Sequence, residues 1–396
     1  MDDKARERIE MLRTSSDATT RVLTTVLTRS PINRPGIAQL ADVSLAAVTK
    51  AITPLVRVGL VDGSLDSGRN GLPGRPSNPV AMIPDALLVA GIKINRDEII
   101  GVATDLTTTV LASTRAVPAS PSPADVIDAI DKLYRELAEM LGDRAGRLAR
   151  VGVTLSGDVH SATGVLRESA QLGWRDVALG EELSARLGIE VVIENDVRAL
   201  AVGEHMFGVG LGTNSFAIVT IGRGIGAGLH LNGDVVNGAH GVMGELGHLP
   251  LAPPDRRCSC GRRGCVEAVA ATSAIVAAVA TEHGRELDLE AVVALARRGD
   301  AAATRAFDEA GRVIGLAVAS LVNLVGPELV IIGGEAVSDF DLYRRSLDAA
   351  YHEHVFGSAE RVRLVVRPHS FADWARGAAA TATRSLLGPR RAQPTV

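Results

Sequence analysis

Aromatic residues are scarce in this 396-residue chain, only 3% of the total, so a packed interior must rest on Ala, Val, Leu and Ile. Cysteine is scarcer still. There are three, too few for a disulfide scaffold. The net charge of −4 excludes wholesale coating of nucleic acid, yet leaves room for a small basic face on one domain. The basic residues are nearly all Arg, which suits forked contacts with phosphates and guanines. Long apolar runs are missing as well. LVNLVGPELVIIGG is interrupted by Gly, Pro and Glu and falls short of the roughly 18–20 residues that span a bilayer. The opening MDDKARERIE lacks the apolar stretch of a signal peptide. No membrane partner is expected, and the expected compartment is the cytoplasm.

What is present is an ordinary globular composition, 46% apolar and 22% charged, in a chain long enough for two or three domains. Residues 1–16 are charged and polar and read as a frayed helix. Arg21–Thr28 and Pro35–Ala41 read as short helices. Ser44 is a good N-cap for a third, LAAVTKAITPLVRVG, ending at Gly59, with Pro54 expected to kink or break it after Thr53. Two short apolar stretches then flank a Gly/Pro/Asn-rich tip, which predicts a hairpin. Helix, helix, turn, helix and hairpin is the plan of a winged helix-turn-helix, with a small protein-interaction module as the alternative. From Leu87 the pattern changes to alternating strands and helices. LLVAGIKI, EIIGVATDL and TTTVLASTRAV predict an antiparallel meander. Ala124–Leu141 predicts a helix, ARVGVTLSG and IEVVIEND strands, and Arg198–Met206 a helix. The expected fold class is therefore α/β in two parts: a DNA-binding domain over 1–82, and a larger domain over 83–390 with room for two lobes. The tail GPRRAQPTV reads as disordered.

Four constellations carry chemistry. His248, Cys258, Cys260 and Cys265 offer three thiolates and an imidazole, a normal tetrahedral zinc shell, and a closed shell of protein ligands implies a structural metal. The alternative, a local disulfide plus a spare thiol, is disfavoured because a C-x-C bridge is strained. In IVTIGRGIGAGLHLNG, Gly222, Gly224, Gly226 and Gly228 form a turn whose amides can cradle phosphate or simply close a tight hairpin. In IENDVRALAVGEH, Asn195 and Asp196 sit where a strand gives way to a helix. Such a position favours ligand contacts, and equally plain N-capping. Glu245 in GELGH and Glu267 after the last cysteine could bind vicinal hydroxyls or be solvated surface charge.

Taken in order, these elements resemble the ROK family (repressor, open reading frame, kinase), and within it xylose-, N-acetylglucosamine- and glucose-type repressors. The likeness runs from about residue 18 to 385. Its specific part is ELGH followed by CSCGRRGCVE, beside IEND, IGRGIGAG, LGW at 172–174 and LVIIGGEAV. The resemblance implies a two-lobed actin/hexokinase-like ATPase fold behind the winged helix. It implies that Asn195, Asp196, Glu245, His248 and Glu267 contact a sugar in the cleft. Asp196 would match a kinase general base, and His248 would turn one ring nitrogen to zinc and the other toward the sugar. Gly224, Gly226 and Gly334 would be a vestigial phosphate site. GRPSNP at 74–79 is similar to the family's wing, with Arg75 placed for a minor groove. Ser44, Thr49 and Lys50 are the candidate contacts on the third helix.

Two departures matter. The first phosphate loop of kinases with this fold is a D-x-G-x-T turn. Here, in GIKINRDEI, Lys93 stands where Asp is expected, Asn95 replaces Gly, and Asp97 lies near the Thr. ATP and Mg²⁺ are accordingly not expected, because phosphoryl transfer depends on positioned metal and charge neutralisation. The second departure is LSGDVH at 155–160, where the family has a Pro-Gly-Pro-like turn followed by Asp, so His160 leaves the sugar specificity open. The expectation is a sugar-responsive regulator, a homodimer or homotetramer, that binds operator DNA and a sugar or sugar phosphate. The rival is an ATP-dependent sugar kinase with an appended DNA-binding domain.

Overall fold

The computed structural model describes residues 1–63, 79–239 and 241–388. They divide into two compact units, one comprising Met1–Leu211 and the chain from Trp374 onward, the other Gly212–Asp373.

The first unit opens on α1 (Asp3–Arg13), and here the expected frayed helix is corrected. Asp2 caps α1, its carboxylate accepting the Ala5 N–H at 2.7 Å, and Ala5 and Leu12 are buried. Arg8 donates to the Val58 and Ala86 carbonyls at 2.9 and 2.6 Å. The sequence hid this because a seam of two apolar residues among charges looks solvated; the contacts that order it come from residues 50 and 78 positions away. Next come α2 (Asp17–Arg29), α3 (Arg34–Leu40) and α4 (Leu45–Arg57), then β1 (Val61–Asp62) paired antiparallel with β2 (Ala81–Met82). Ser44 caps α4 through Ala47 N–H, and Gly59 follows its C-terminus at φ +70°. The break expected at Pro54 is absent: α4 runs through it. The missing N–H deprives only the carbonyl of exposed Lys50, while Val48, Ala51, Ile52 and Leu55 anchor the buried face. The tip of the expected hairpin, Arg75 included, lies outside the described residues, as does the tail from 389.

The expected meander is β3 (Leu88–Ile94), β4 (Ile99–Asp105) and β5 (Val110–Ala116). After α5 (Pro123–Leu141), β6 (Leu148–Leu155) joins β3 in parallel. A small antiparallel sheet follows, made of β7 (Asp158–His160), β8 (Val165–Ser169) and β9 (Trp174–Val177). Then come α6 (Leu179–Leu187), β10 (Val191–Asn195), parallel to β6, and α7 (Asp196–Phe207). The sheet order is β10-β6-β3-β4-β5. Strands β3, β4 and β6 are buried along their whole length, as strands covered on both faces must be.

The second unit repeats this topology. β11 (Ser215–Ile221), β12 (Ile225–Leu231) and β13 (Asp234–Val235) form an antiparallel meander. α8 (Glu267–Ala270), α9 (Thr272–His283), α10 (Leu289–Arg297) and α11 (Ala301–Val325) follow. Parallel strand β14 (Leu329–Gly333), helix α12 (Phe340–His354) and parallel strand β15 (Arg363–Val366) complete it, in the sheet order β13-β12-β11-β14-β15. Its core is aliphatic with few rings, among them Phe307 and Tyr343 packed edge to face at 5.0 Å. Among the described residues no helix is long and apolar enough to cross a membrane.

Candidate functional site

In the first unit the chemistry gathers where β10 enters α7. Asn195 is the N-cap of α7: its side-chain carbonyl accepts from Val197 N–H at 3.0 Å and Arg198 N–H at 3.3 Å, and its amide donates to the Gly157 carbonyl at 3.1 Å. Asp196 is 9% exposed. One of its oxygens accepts from Val197 N–H at 2.9 Å, and the other receives the ammonium of Lys93 in a short ion pair. Lys93 is 4% exposed, on β3, and its ammonium lies 5.5 Å from the centre of the Trp374 ring. So the lysine that replaces the expected loop carboxylate is itself the counter-ion of the candidate base. Asn95 is buried beyond it and Asp97 is exposed on the turn.

Two further residues hold this junction that the motif reading passed over. Glu194 and Arg198, each with a side chain only 2% exposed, pair at 2.6 Å. The same Glu194 oxygen accepts from Asn195 N–H at 2.8 Å and Ser161 hydroxyl at 2.9 Å, and Arg198 donates to the Val159 carbonyl at 2.8 Å. The pair thereby ties the start of α7 to β7, which carries His160, whose Nδ1 lies 2.7 Å from the Thr163 hydroxyl. The i, i+4 spacing in IENDVR was the available signal. Arg198→Lys keeps the charge but loses the planar fork. It is expected to cost about 1–3 kcal/mol in urea unfolding, because the Val159 carbonyl or Glu194 is left short of a donor. A loss below about 0.5 kcal/mol would contradict the pair's structural role.

In the second unit the glycine turn is a hairpin. Gly222-Arg223-Gly224 joins β11 to β12, while Gly226 lies within β12 opposite Thr220. Its amides already have acceptors: Arg223 N–H donates to Glu335 at 2.8 Å and Ile225 N–H to Glu267 at 3.2 Å. Gly334, at φ +102°, donates its N–H to His369 Nδ1 at 3.3 Å. Glu267 also accepts from the Ser259 hydroxyl at 3.3 Å, linking the hairpin turn to the cysteine loop.

The cysteine loop brings the four expected donors together. The ligand atoms of His248, Cys258, Cys260 and Cys265 all lie within 4.8 Å of one another. Cys260 and Cys265 sulfurs are 3.8 Å apart, as are Cys258 Sγ and His248 Nδ1. These separations match the edges, about 3.6–3.8 Å, of a tetrahedron built on metal bonds of about 2.0–2.3 Å. Burial, joined by the neighbouring thiols Cys260 and Cys258, pushes the Cys265 thiol up to about 12. Burial also raises Cys260, but the Arg262 N–H and the two neighbouring thiols outweigh it and hold that thiol below its ordinary value. His248 Nε2 faces Glu245 at 3.8 Å, and Glu245's side chain is about half exposed, at 48%.

In the N-terminal helices, Ser44, Thr49 and Lys50 are all exposed on α4, at its start and along one face. Thr49's hydroxyl donates to the Leu45 carbonyl at 3.1 Å. The Ser44 oxygen accepts the cap hydrogen bond, which leaves its own O–H to donate.

A family model described as the ROK family matches residues 89–385. The chain belongs to the ROK family. Among ROK relatives, the N-acetylglucosamine repressor of Escherichia coli O157:H7 is 26% identical over 90% of each chain. A crystal structure of a ROK family transcriptional regulator, a homologue of the E. coli Mlc protein, matches with a TM-score of 0.78 at 26% identity, covering 97% of both chains. A ROK family glucokinase from Streptomyces griseus, solved with glucose and AMPPNP, matches with a TM-score of 0.64 at 25% identity. That match covers 99% of the glucokinase but 74% of this chain. The ROK fold expected from the motifs is therefore the fold of this chain, and its N-terminal helices precede residue 89, where the family match begins.

Proposed function

We propose that this ROK protein is a sugar-responsive transcriptional regulator that senses its sugar without phosphorylating it. The observation that carries the reading is the buried Lys93–Asp196 ion pair. A kinase needs a carboxylate free to take a proton from a sugar hydroxyl and a phosphate loop able to support metal. Here one residue change defeats both: it puts an ammonium in the loop and holds the carboxylate with it. The ROK regulator structure covers 97% of this chain, the N-terminal helices with the ROK domain, which supports a DNA-binding role for residues 1–82 and a sensor role for 83–390. The helix pair α3–α4, joined by a short turn and followed by β1 and β2, supports a winged helix-turn-helix with α4 in the major groove. The sugar contacts proposed are those the resemblance assigns, Asn195 and Asp196 foremost.

The Cys₃His donor set fits zinc in number, chemistry and spacing. Bound there, the metal would brace the loop of residues 258–265, and through Ser259 and Glu267 the glycine turn. It would take no part in chemistry, because the shell is closed.

A fluorescence-anisotropy titration of the full chain on a duplex from its own upstream region tests the reading. A panel of monosaccharides, amino sugars and their phosphates is added, with a coupled ATPase assay alongside. At least one sugar should shift DNA affinity, and no sugar should raise ATP turnover. Lys50→Ala and Arg75→Ala should each weaken DNA binding, and Lys50→Ala should also flatten the log K against log salt slope by about 0.9, the share of one phosphate contact. Binding unchanged in both variants would remove the assignment to α4 and the wing.

A further inference from the structure

The hairpin turn at Gly222–Gly224 presents its amides to acceptors supplied by the chain itself. Arg223 N–H donates to Glu335 at 2.8 Å, and Ile225 N–H donates to Glu267 at 3.2 Å. The fit depends on glycine. A Cβ on Gly222 would overlap the Glu335 carboxylate, and one on Gly224 would come within 2.9 Å of a Glu267 oxygen. Glu335 is delivered to this place by Gly334, whose φ of +102° turns the chain at the end of β14 into the short 3₁₀ turn Glu335–Asp339. Its carboxylate sits against the backbone of the turn, where an incoming oxyanion would have to sit to use the same N–H group.

A carboxylate oxygen and a phosphoryl oxygen are the same kind of acceptor for a backbone N–H, and both are negative. They cannot share the cradle. A tethered carboxylate also competes at an effective concentration in the millimolar range, against which a free anion must win. We propose that Glu335 is a built-in anion that fills the amide cradle of the glycine turn and closes it to nucleotide polyphosphates and inorganic phosphate. The residue sets the ligand class of the turn, and its replacement opens an anion site. This goes beyond the sensing reading. It concerns residues 222–225, Glu267 and residues 334–335, and it holds whichever sugar, if any, is the effector.

The test uses the full-length protein with its metal complement, and Mg-ADP and inorganic phosphate as probes. Isothermal titration of the wild type should show no saturable binding of either at millimolar concentration. Glu335→Gly should bind ADP at least about ten-fold more tightly. Glu335→Gln, which keeps the shape and an acceptor but drops the charge, should fall between them. Melting temperature and metal content confirm that each variant is folded. If neither folded variant binds ADP better than the wild type, the proposal is overturned. A second readout needs no variant. In the wild type the amide resonances of Arg223 and Ile225 should stay in place as phosphate is added, and a saturable shift of either would overturn the proposal as well.

Discussion

Lys93→Met is expected to destabilise the protein by about 3–5 kcal/mol, the cost of leaving one partner of a buried ion pair behind. Both side chains are buried, 6% and 12% exposed, so water cannot replace the ammonium that Asp196 would lose. An exposed pair would change stability by only about 0–1 kcal/mol. The double change Lys93→Met/Asp196→Asn removes both charges together and should recover most of the loss. Urea unfolding of the wild type, both singles and the double closes the cycle. A double variant whose loss equals the sum of the two single losses would show that the two residues act independently. Asp196→Asn should also weaken the sugar response by about ten- to a hundred-fold in concentration, since a charge-assisted bond to a hydroxyl is worth about 1.5–3 kcal/mol. Operator binding without sugar should persist.

The second large effect is on the metal loop. The purified chain should carry about one zinc, and Cys260→Ser should lose it. A ligand at a thousand times its dissociation constant stabilises the folded state by about 4 kcal/mol, so chelation should lower the melting temperature by several degrees and added zinc should restore it. The effect should reach past the loop. Glu267 accepts from Ser259 on one side and from Ile225 on the other, so loosening residues 258–265 also loosens the glycine turn. Amide exchange in Gly222–Ile225 should therefore quicken after chelation. A reduced, chelator-free preparation without zinc, or a melting temperature indifferent to chelator, would contradict the closed shell.

Much of this was legible because short-range chemistry fixed it. Ser44 and Gly59 bound α4 because a cap and a left-handed glycine are local devices. The meander from Leu88 to Ala116 followed from alternation and turn residues. The cysteine spacing predicted a cluster, and the donors converge. Other features lay beyond local pattern. The glycine turn allowed either a cradle or a hairpin, and only the long-range arrival of Glu335 and Glu267 decides what its amides bind. Asn195 allowed either a ligand contact or a cap, and its cap hydrogen bonds are seen. Lys93 was legible as a departure but its counter-ion was not, since Asp196 lies 103 residues away. The charged start gave no hint of docking, because α1 is ordered by Val58, Ala86 and Gly146 rather than by its own periodicity. The shared sheet order of the two units left no repeat in the sequence, because strand order constrains hydrogen bonding and not residue identity.

The most direct test of sensing without catalysis is the affinity of the effective sugar measured with and without saturating operator DNA. Coupling between two sites is reciprocal, so the factor by which the sugar changes DNA affinity must reappear in the sugar's own dissociation constant. The account predicts equal factors, of about 5–150-fold, with the sugar recovered unphosphorylated in the presence of ATP. A sugar affinity identical with and without operator, or sugar recovered as its phosphate, would contradict it.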